Sequence, residues 1–158
     1  MKIELIINGE KRQAEVDASC RLIDLLRDKF GLISVREGCG VGECGACTVL
    51  LNGEPVCSCL TPAVQARGMA VITIEGLEKN GEMDILQKAF LDSDAVQCGF
   101  CTPGMILTAK ALLMKKPLPD REEIKKALAG NICRCTGYLP IINAVEKAAK
   151  AGAACTIL

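Results

Sequence analysis

The sequence predicts an α+β chain in two parts: a small mixed domain over residues 1–76, then an all-α, four-helix domain over 77–158. Three observations carry this prediction. Strand-like alternation and two Asn-Gly pairs crowd the first half. Helical spacing with caps and prolines fills the second. Between them residues 78–83, with Asn80-Gly81 inside, read as a linker.

Ile3, Leu5 and Ile7 alternate along a first strand, and Asn8-Gly9 is a strong hairpin turn. Leu22, Leu25, Leu26 and Phe30 then repeat at helical spacing, with Gly31 as a stop. Asn52-Gly53 joins a strand over 48–51 to one over 55–58, and a further short strand covers 71–74. Residues 84–91 form a short amphipathic helix. Thr102-Pro103 reads as a cap followed by a first-turn proline, opening a helix that runs to about Lys115. Pro117 and Pro119 break it. Asp120 caps a shorter helix ended by Gly130, and a last helix over 139–151 carries Ile142, Val145 and Ala149 on one face.

Half of the 158 residues are hydrophobic and 24% are charged, the balance of a globular chain. Nineteen basic residues match nineteen acidic ones and only 3% are aromatic, so neither a phosphate-tracking groove nor a base-stacking platform is expected. The start, Met1-Lys2-Ile3-Glu4-Leu5, shows no basic segment leading into an apolar run. The best apolar stretch, Met105 to Met114, is cut by Lys110. The expectation is a cytoplasmic protein with neither nucleic acid nor membrane as partner.

The unusual numbers are eleven cysteines and no histidine. In a reducing compartment such cysteines read as metal ligands before disulfides. The missing histidine removes Rieske centres, Cys2His2 zinc fingers, histidine-ligated haem and Cys–His catalytic pairs from what this chain can build alone. Any metal must rest on thiolate.

Cys39-x4-Cys44-x2-Cys47, with Cys59 beyond, has the spacing of plant-type [2Fe–2S] ferredoxins. Gly38, Gly40, Gly42 and Gly45 suit a loop that wraps a small anionic cluster. Residues 40–45 also fit G-x-G-x-x-G, but no apolar strand leads in and no amphipathic helix follows, so a dinucleotide site is rejected. A four-thiolate zinc site stays open on spacing alone, whereas ordinary core cysteines do not account for three in a glycine-rich loop. Cys98-x2-Cys101 and Cys133-x-Cys135 form a second set. The helices between run out by roughly 20 Å and back at 1.5 Å per residue, which returns the second pair beside the first. Zinc knuckles also use paired cysteines. Arg36 and Arg134 flank the ligands and are candidates to temper cluster charge, with solvated surface arginines as the plain alternative. Cys20 reads as a small buried or half-buried residue and Cys155 as part of a frayed tail. Cys57, two before Cys59, could replace it as fourth ligand.

Three runs now carry a resemblance: Glu37-Gly38-Cys39-Gly40-Val41-Gly42-Glu43-Cys44-Gly45-Ala46-Cys47-Thr48, Val96-Gln97-Cys98-Gly99-Phe100-Cys101-Thr102-Pro103-Gly104, and Gly130-Asn131-Ile132-Cys133-Arg134-Cys135-Thr136-Gly137-Tyr138. With them the chain resembles, over nearly its whole length, the iron–sulfur subunit of the molybdenum hydroxylases, the family of xanthine dehydrogenase and aldehyde oxidoreductase. The resemblance implies a ferredoxin-like (β-grasp) domain followed by a helical [2Fe–2S] domain. Its Ser-Cys pattern at the fourth ligand matches Ser58-Cys59 and favours Cys59 over Cys57. It implies one cluster on Cys39, Cys44, Cys47 and Cys59 and another on Cys98, Cys101, Cys133 and Cys135. Gln97 and Cys135 match positions that approach the molybdopterin, although Gln97 reads equally as a polar residue opening a turn.

The implied function is electron transfer. A molybdopterin-binding large subunit takes electrons from substrate, and the clusters pass them singly to an FAD-binding medium subunit or another acceptor. No catalytic residue is expected on this chain, consistent with its lack of an obvious base, nucleophile or nucleotide loop. Substrates within the family include purines, aldehydes, aromatic acids and carbon monoxide, and the pocket that selects them lies on another chain. A zinc-stabilised interaction module is the rival reading, and a free-standing ferredoxin the weaker third.

Overall fold

The computed structural model describes residues 1–153; Cys155 lies outside the described residues. Strands β1 (Lys2–Ile7) and β2 (Glu10–Glu15) form the expected hairpin, with Asn8 and Gly9 both at positive φ (50° and 85°) as a type I′ turn requires. Asn52 and Gly53 repeat that geometry between β3 (Thr48–Leu51) and β4 (Glu54–Cys57). β4 begins one residue earlier than expected, before Pro55. It is an edge strand, where a missing amide donor costs no ladder bond. β5 spans Ala70–Ile72 and stops short of residue 74, because the Asn8 side chain takes over the Thr73 backbone. Asn8 Oδ1 accepts from Thr73 N at 2.9 Å, and Asn8 Nδ2 donates to Thr73 Oγ1 at 3.0 Å. The chain turns there into a 3-10 segment, Ile74–Leu77.

The mixed sheet has the order β2-β1-β5-β3-β4, with β1 and β5 parallel at its centre. Under it lies α1 (Leu22–Asp24), which continues as a π-helical turn over Leu25–Lys29 instead of the single α-helix expected. The wider turn lets Leu22, Ile23, Leu25 and Leu26 all become fully buried, more than the single stripe of so short an α-helix.

The second half contains α2 (Ile85–Asp92), α3 (Thr102–Lys115), α4 (Arg121–Leu128) and α5 (Leu139–Lys150). Asp84 and Asp120 each cap a helix through a reciprocal capping box, with Gln87 and Glu123 respectively. Thr102 is not the cap of α3. Cys101 holds that place without a side-chain bond, and Pro103 lies in the first turn. Ile142, Val145 and Ala149 are buried as the spacing predicted. Among the described residues no helix is long and apolar enough to cross a membrane.

Alternation along β3 and β5 joins the halves. Val49 and Val71 face the core shared with Ile3, Leu5 and α1, while the register partners Leu50 and Ile72 face the core of the helical half. α3 lies against β3 on one side and other helices on the other, so it is buried nearly all round. Its Lys110 is satisfied inside this core by Asp84 Oδ2 at 2.7 Å and Ala153 O at 3.0 Å.

Candidate metal centres

Two arginines anchor the first cysteine loop from below. Arg21, at the start of α1, pairs with Asp24 at 2.7 Å and with Glu37 at 2.5 Å. Arg27 donates to the carbonyls of Ile33 and Val35 at 3.0 and 2.7 Å. Residues 33–37 are thereby fixed just before the ligand run. The loop then curls so that the amides of Val41, Glu43 and Cys44 all point at Cys39 Sγ, at 3.4, 3.3 and 3.4 Å. These amides, Val41 first, pull the Cys39 thiol down to about 6, against an ordinary thiol near 8.5. A nest of N–H groups around one sulfur is what an anionic, thiolate-held cluster needs.

Gly45 shows why the loop is glycine-rich. Its φ is +69°, and a Cβ there would lie 2.4 Å from Gly130 O. Gly104 approaches the same place from α3, where a Cβ would lie 2.3 Å from Gly45 O.

Sulfur positions fall into pairs. In the first site Cys39 neighbours Cys44, and Cys47 neighbours both Cys59 and Cys57. Ser58, fully buried, ties Cys47 and Cys59 together by donating its hydroxyl to Cys47 O at 2.7 Å. In the second site Cys98 meets Cys135 and Cys101 meets Cys133. A [2Fe–2S] cluster takes two thiolates on each iron, and this two-plus-two arrangement matches it. The donor set therefore fits the cluster.

Cys57 and Cys59 both lie near Cys47, but Gly42 treats them oppositely. Its amide donates to Cys59 sulfur, which favours thiolate there, whereas its carbonyl accepts from Cys57 Sγ at 3.6 Å, which favours the protonated thiol. Without metal, burial first and Cys47 second push Cys59 up to about 12. Burial likewise pushes Cys101 up to about 12, with Cys133 adding to the shift. Coordination must offset that cost at Cys59 and Cys101. Burial alone does not set the direction, since the buried Cys133 is lowered, its burial outweighed by bonds from Thr136, and the exposed Cys135 is raised, first by Cys98. Cys98 is lowered, first by the Phe100 amide and then by Cys135. Cys20 is half-buried and raised, mainly by burial, in line with a packing role.

The helix hairpin of α3 and α4 returns Cys133 and Cys135 beside Cys98 and Cys101 as the spacing required. The pairs differ in exposure: Cys98 and Cys135 are exposed, as is Gln97, while Cys101 is half-buried and Cys133 buried. The inner side faces the first site. Ile132 N donates to Cys44 O at 2.9 Å, so one hydrogen bond joins a first-site cysteine to the neighbour of a second-site cysteine. Asn131, 4% exposed, reinforces it with Nδ2 donating to Gly45 O at 3.1 Å. Arg36 adds a third tie, donating to Gly99 O and lying 5.5 Å over the Phe100 ring. The sequence leaves Arg36 open between a charge tempering the cluster and a solvated surface arginine; its partners lie on the other loop, where its charge also helps to lower the Cys98 thiol. Arg134 is exposed. The bridging roles of Asn131 and Ile132 were missed, although both sit in the quoted run around Cys133.

Comparison with known proteins agrees with this geometry. Residues 5–70 match the family described as a 2Fe-2S iron-sulfur cluster binding domain, and residues 73–146 match that described as a [2Fe-2S] binding domain. The chain is 56% identical to the nicotinate dehydrogenase small FeS subunit of Eubacterium barkeri, over 92% of this chain and 93% of that protein. It superposes on a chain of quinoline 2-oxidoreductase from Pseudomonas putida 86 with a TM-score of 0.93 and 44% identity, covering 96% of this chain and 95% of that one. It also matches the aldehyde oxidoreductase of Desulfovibrio desulfuricans with a TM-score of 0.92 and 43% identity, covering 95% of this chain but 17% of that longer one.

Proposed function

The chain belongs to the iron–sulfur subunit family of the molybdenum hydroxylases, and from that premise we propose how its two cysteine sets serve electron transfer. It is the electron-transfer part of an oxidoreductase complex and has [2Fe–2S]-binding domains. Cys39, Cys44, Cys47 and Cys59 hold one cluster in the 1–76 part, and Cys98, Cys101, Cys133 and Cys135 hold the other in the 77–158 part. The observation that carries this assignment is the set of donors aimed at sulfur, the Val41, Glu43 and Cys44 amides at Cys39 and the Thr136 hydroxyl and amide at Cys133. When bound, the clusters supply one-electron redox chemistry that no side chain here can.

The direction proposed is the one the family resemblance implies, in which Gln97 and Cys135 match positions that approach the molybdopterin. The exposed Cys98–Cys135 end, with Gln97 beside it, faces a molybdopterin-binding large subunit. The buried Cys101–Cys133 end leads through Ile132 and its hydrogen bond to Cys44. The exposed Cys39 end faces an FAD-binding medium subunit or another acceptor. In the longer aldehyde oxidoreductase the matching unit is about a sixth of one chain, which supports close packing against a large catalytic part. The names of the nicotinate and quinoline enzymes favour an N-heteroaromatic substrate for that part.

The test is anaerobic addition of substrate to the complex. Both clusters should bleach, and in Cys59→Ser only the second should. Turnover with an artificial dye but no cluster bleaching in the wild-type complex would contradict the proposal.

A further inference from the structure

The two sites treat their sulfurs differently. At Cys39 the donors are backbone amides, which no substitution removes cleanly. At Cys133 a side chain joins the backbone as donor. Thr136 Oγ1 lies 3.1 Å from Cys133 Sγ, and the Thr136 amide lies 3.5 Å from the same sulfur.

The direction of the hydroxyl bond follows from its surroundings. Thr136 Oγ1 accepts from Tyr138 N at 3.2 Å, which occupies one lone pair. A cysteine bound to iron has no proton to give, so the hydroxyl hydrogen must point to sulfur. Cys133's own amide is diverted away from sulfur, donating instead to Tyr138 Oη at 2.9 Å. Tyr138 is held for this at a positive φ of 69°, unusual for a tyrosine, where the chain turns into α5. Thr136 and Tyr138 thus interlock around one buried sulfur, and the Thr136 hydroxyl is its removable donor.

We propose that the Thr136 hydroxyl, donating to Cys133 Sγ, raises the reduction potential of the second cluster and so favours its taking electrons from the molybdenum side. A donor to a ligand sulfur stabilises the more negative, reduced state more than the oxidised one. The proposal rests on Cys133 being a cluster ligand, as assigned above.

The experiment is an EPR-monitored redox titration of the full chain purified with its clusters, comparing wild type, Thr136→Val, Thr136→Ala and Thr136→Ser. The second-cluster signal is the one that Cys98→Ser lacks. Thr136→Val should keep its iron and sulfide but lower that cluster's potential by about tenfold in electron affinity, which is 59 mV for one electron. Thr136→Ser, with the hydroxyl kept, should stay at the wild-type potential, and the first cluster should not move in any variant. An unmoved second-cluster potential in Thr136→Val, or an equal fall in Thr136→Ser, would overturn the proposal. If Thr136→Val fails to hold the cluster, Thr136→Ala supplies the comparison. Loss in both with full loading of Thr136→Ser would replace tuning by a purely structural role. Wild-type chain without iron or sulfide would instead overturn the ligand assignment itself.

Discussion

Asn131→Ala removes a side-chain amide that is 4% exposed and joins the two cysteine loops. Its Nδ2 donates to Gly45 O at 3.1 Å and, at longer reach, to Thr48 Oγ1 at 3.4 Å. Gly45 O keeps the Thr48 hydroxyl at 2.7 Å and the Thr48 amide at 3.2 Å, so it is not left bare. The loss is therefore one good hydrogen bond, about 1 kcal/mol, plus a small void of about 1 kcal/mol. For a chain of this size about 2 kcal/mol lowers Tm by about 4–8 °C. Asn131→Asp keeps the shape but sets a buried carboxylate against the Gly45 carbonyl, and should cost more, about 3–5 kcal/mol. Thermal unfolding of the cluster-loaded chain by circular dichroism should rank wild type above Asn131→Ala above Asn131→Asp. An Asn131→Ala midpoint equal to wild type, or an Asp variant no worse than the Ala one, would refute the reasoning.

Cys59→Ser should lose about half the iron and Cys57→Ser none, because the Gly42 amide serves Cys59 while its carbonyl holds the Cys57 thiol; equal iron in both variants would contradict this. Lys110→Ala should lower stability in urea by about 3 kcal/mol by stranding the Asp84 carboxylate. Pairing Lys110→Met with Asp84→Asn should recover much of that, since Asn caps a helix as well as Asp; no recovery would locate the loss elsewhere. Hydrogen bonds from the Arg21 guanidinium hold Asp24 and Glu37 below the usual carboxylate range. Their stabilisation is thus present above that range and lost as pH falls through the lowered values. Arg21→Gln should move both carboxyls back up, so the acid-side loss begins at higher pH. A carboxyl NMR titration in which Asp24 does not move would rule this out.

What was legible in the sequence was short-range. Two Asn-Gly pairs announced their hairpins because few other dipeptides tolerate that geometry, and cysteine spacing singled out two loops that the fold joins through Cys44 and Ile132. Asp120 announced a helix through local capping, and that helix ends at Leu128 with Ala129 as its C-cap, just before Gly130. What escaped depends on partners far along the chain. The early stop of β5 comes from Asn8, 65 residues away, and the clasp of Asn131 on Gly45 spans 86. The π-helical turn after Asp24 reflects how much apolar surface the sheet asks α1 to bury, which its own spacing does not reveal. Thr102 looked like a cap by residue type, but the Cys98–Cys101 turn shifts the helix start so that Thr102 falls inside it.

The central claim is that this chain carries two [2Fe–2S] clusters on two sets of cysteines. It is tested most directly by iron, zinc and acid-labile sulfide analysis of the purified full chain, with an EPR spectrum after dithionite reduction. The account predicts about four irons and four sulfides per chain and two overlapping spin-half signals. About two zincs, no sulfide and no EPR signal would contradict it and leave a structural module in place of an electron carrier.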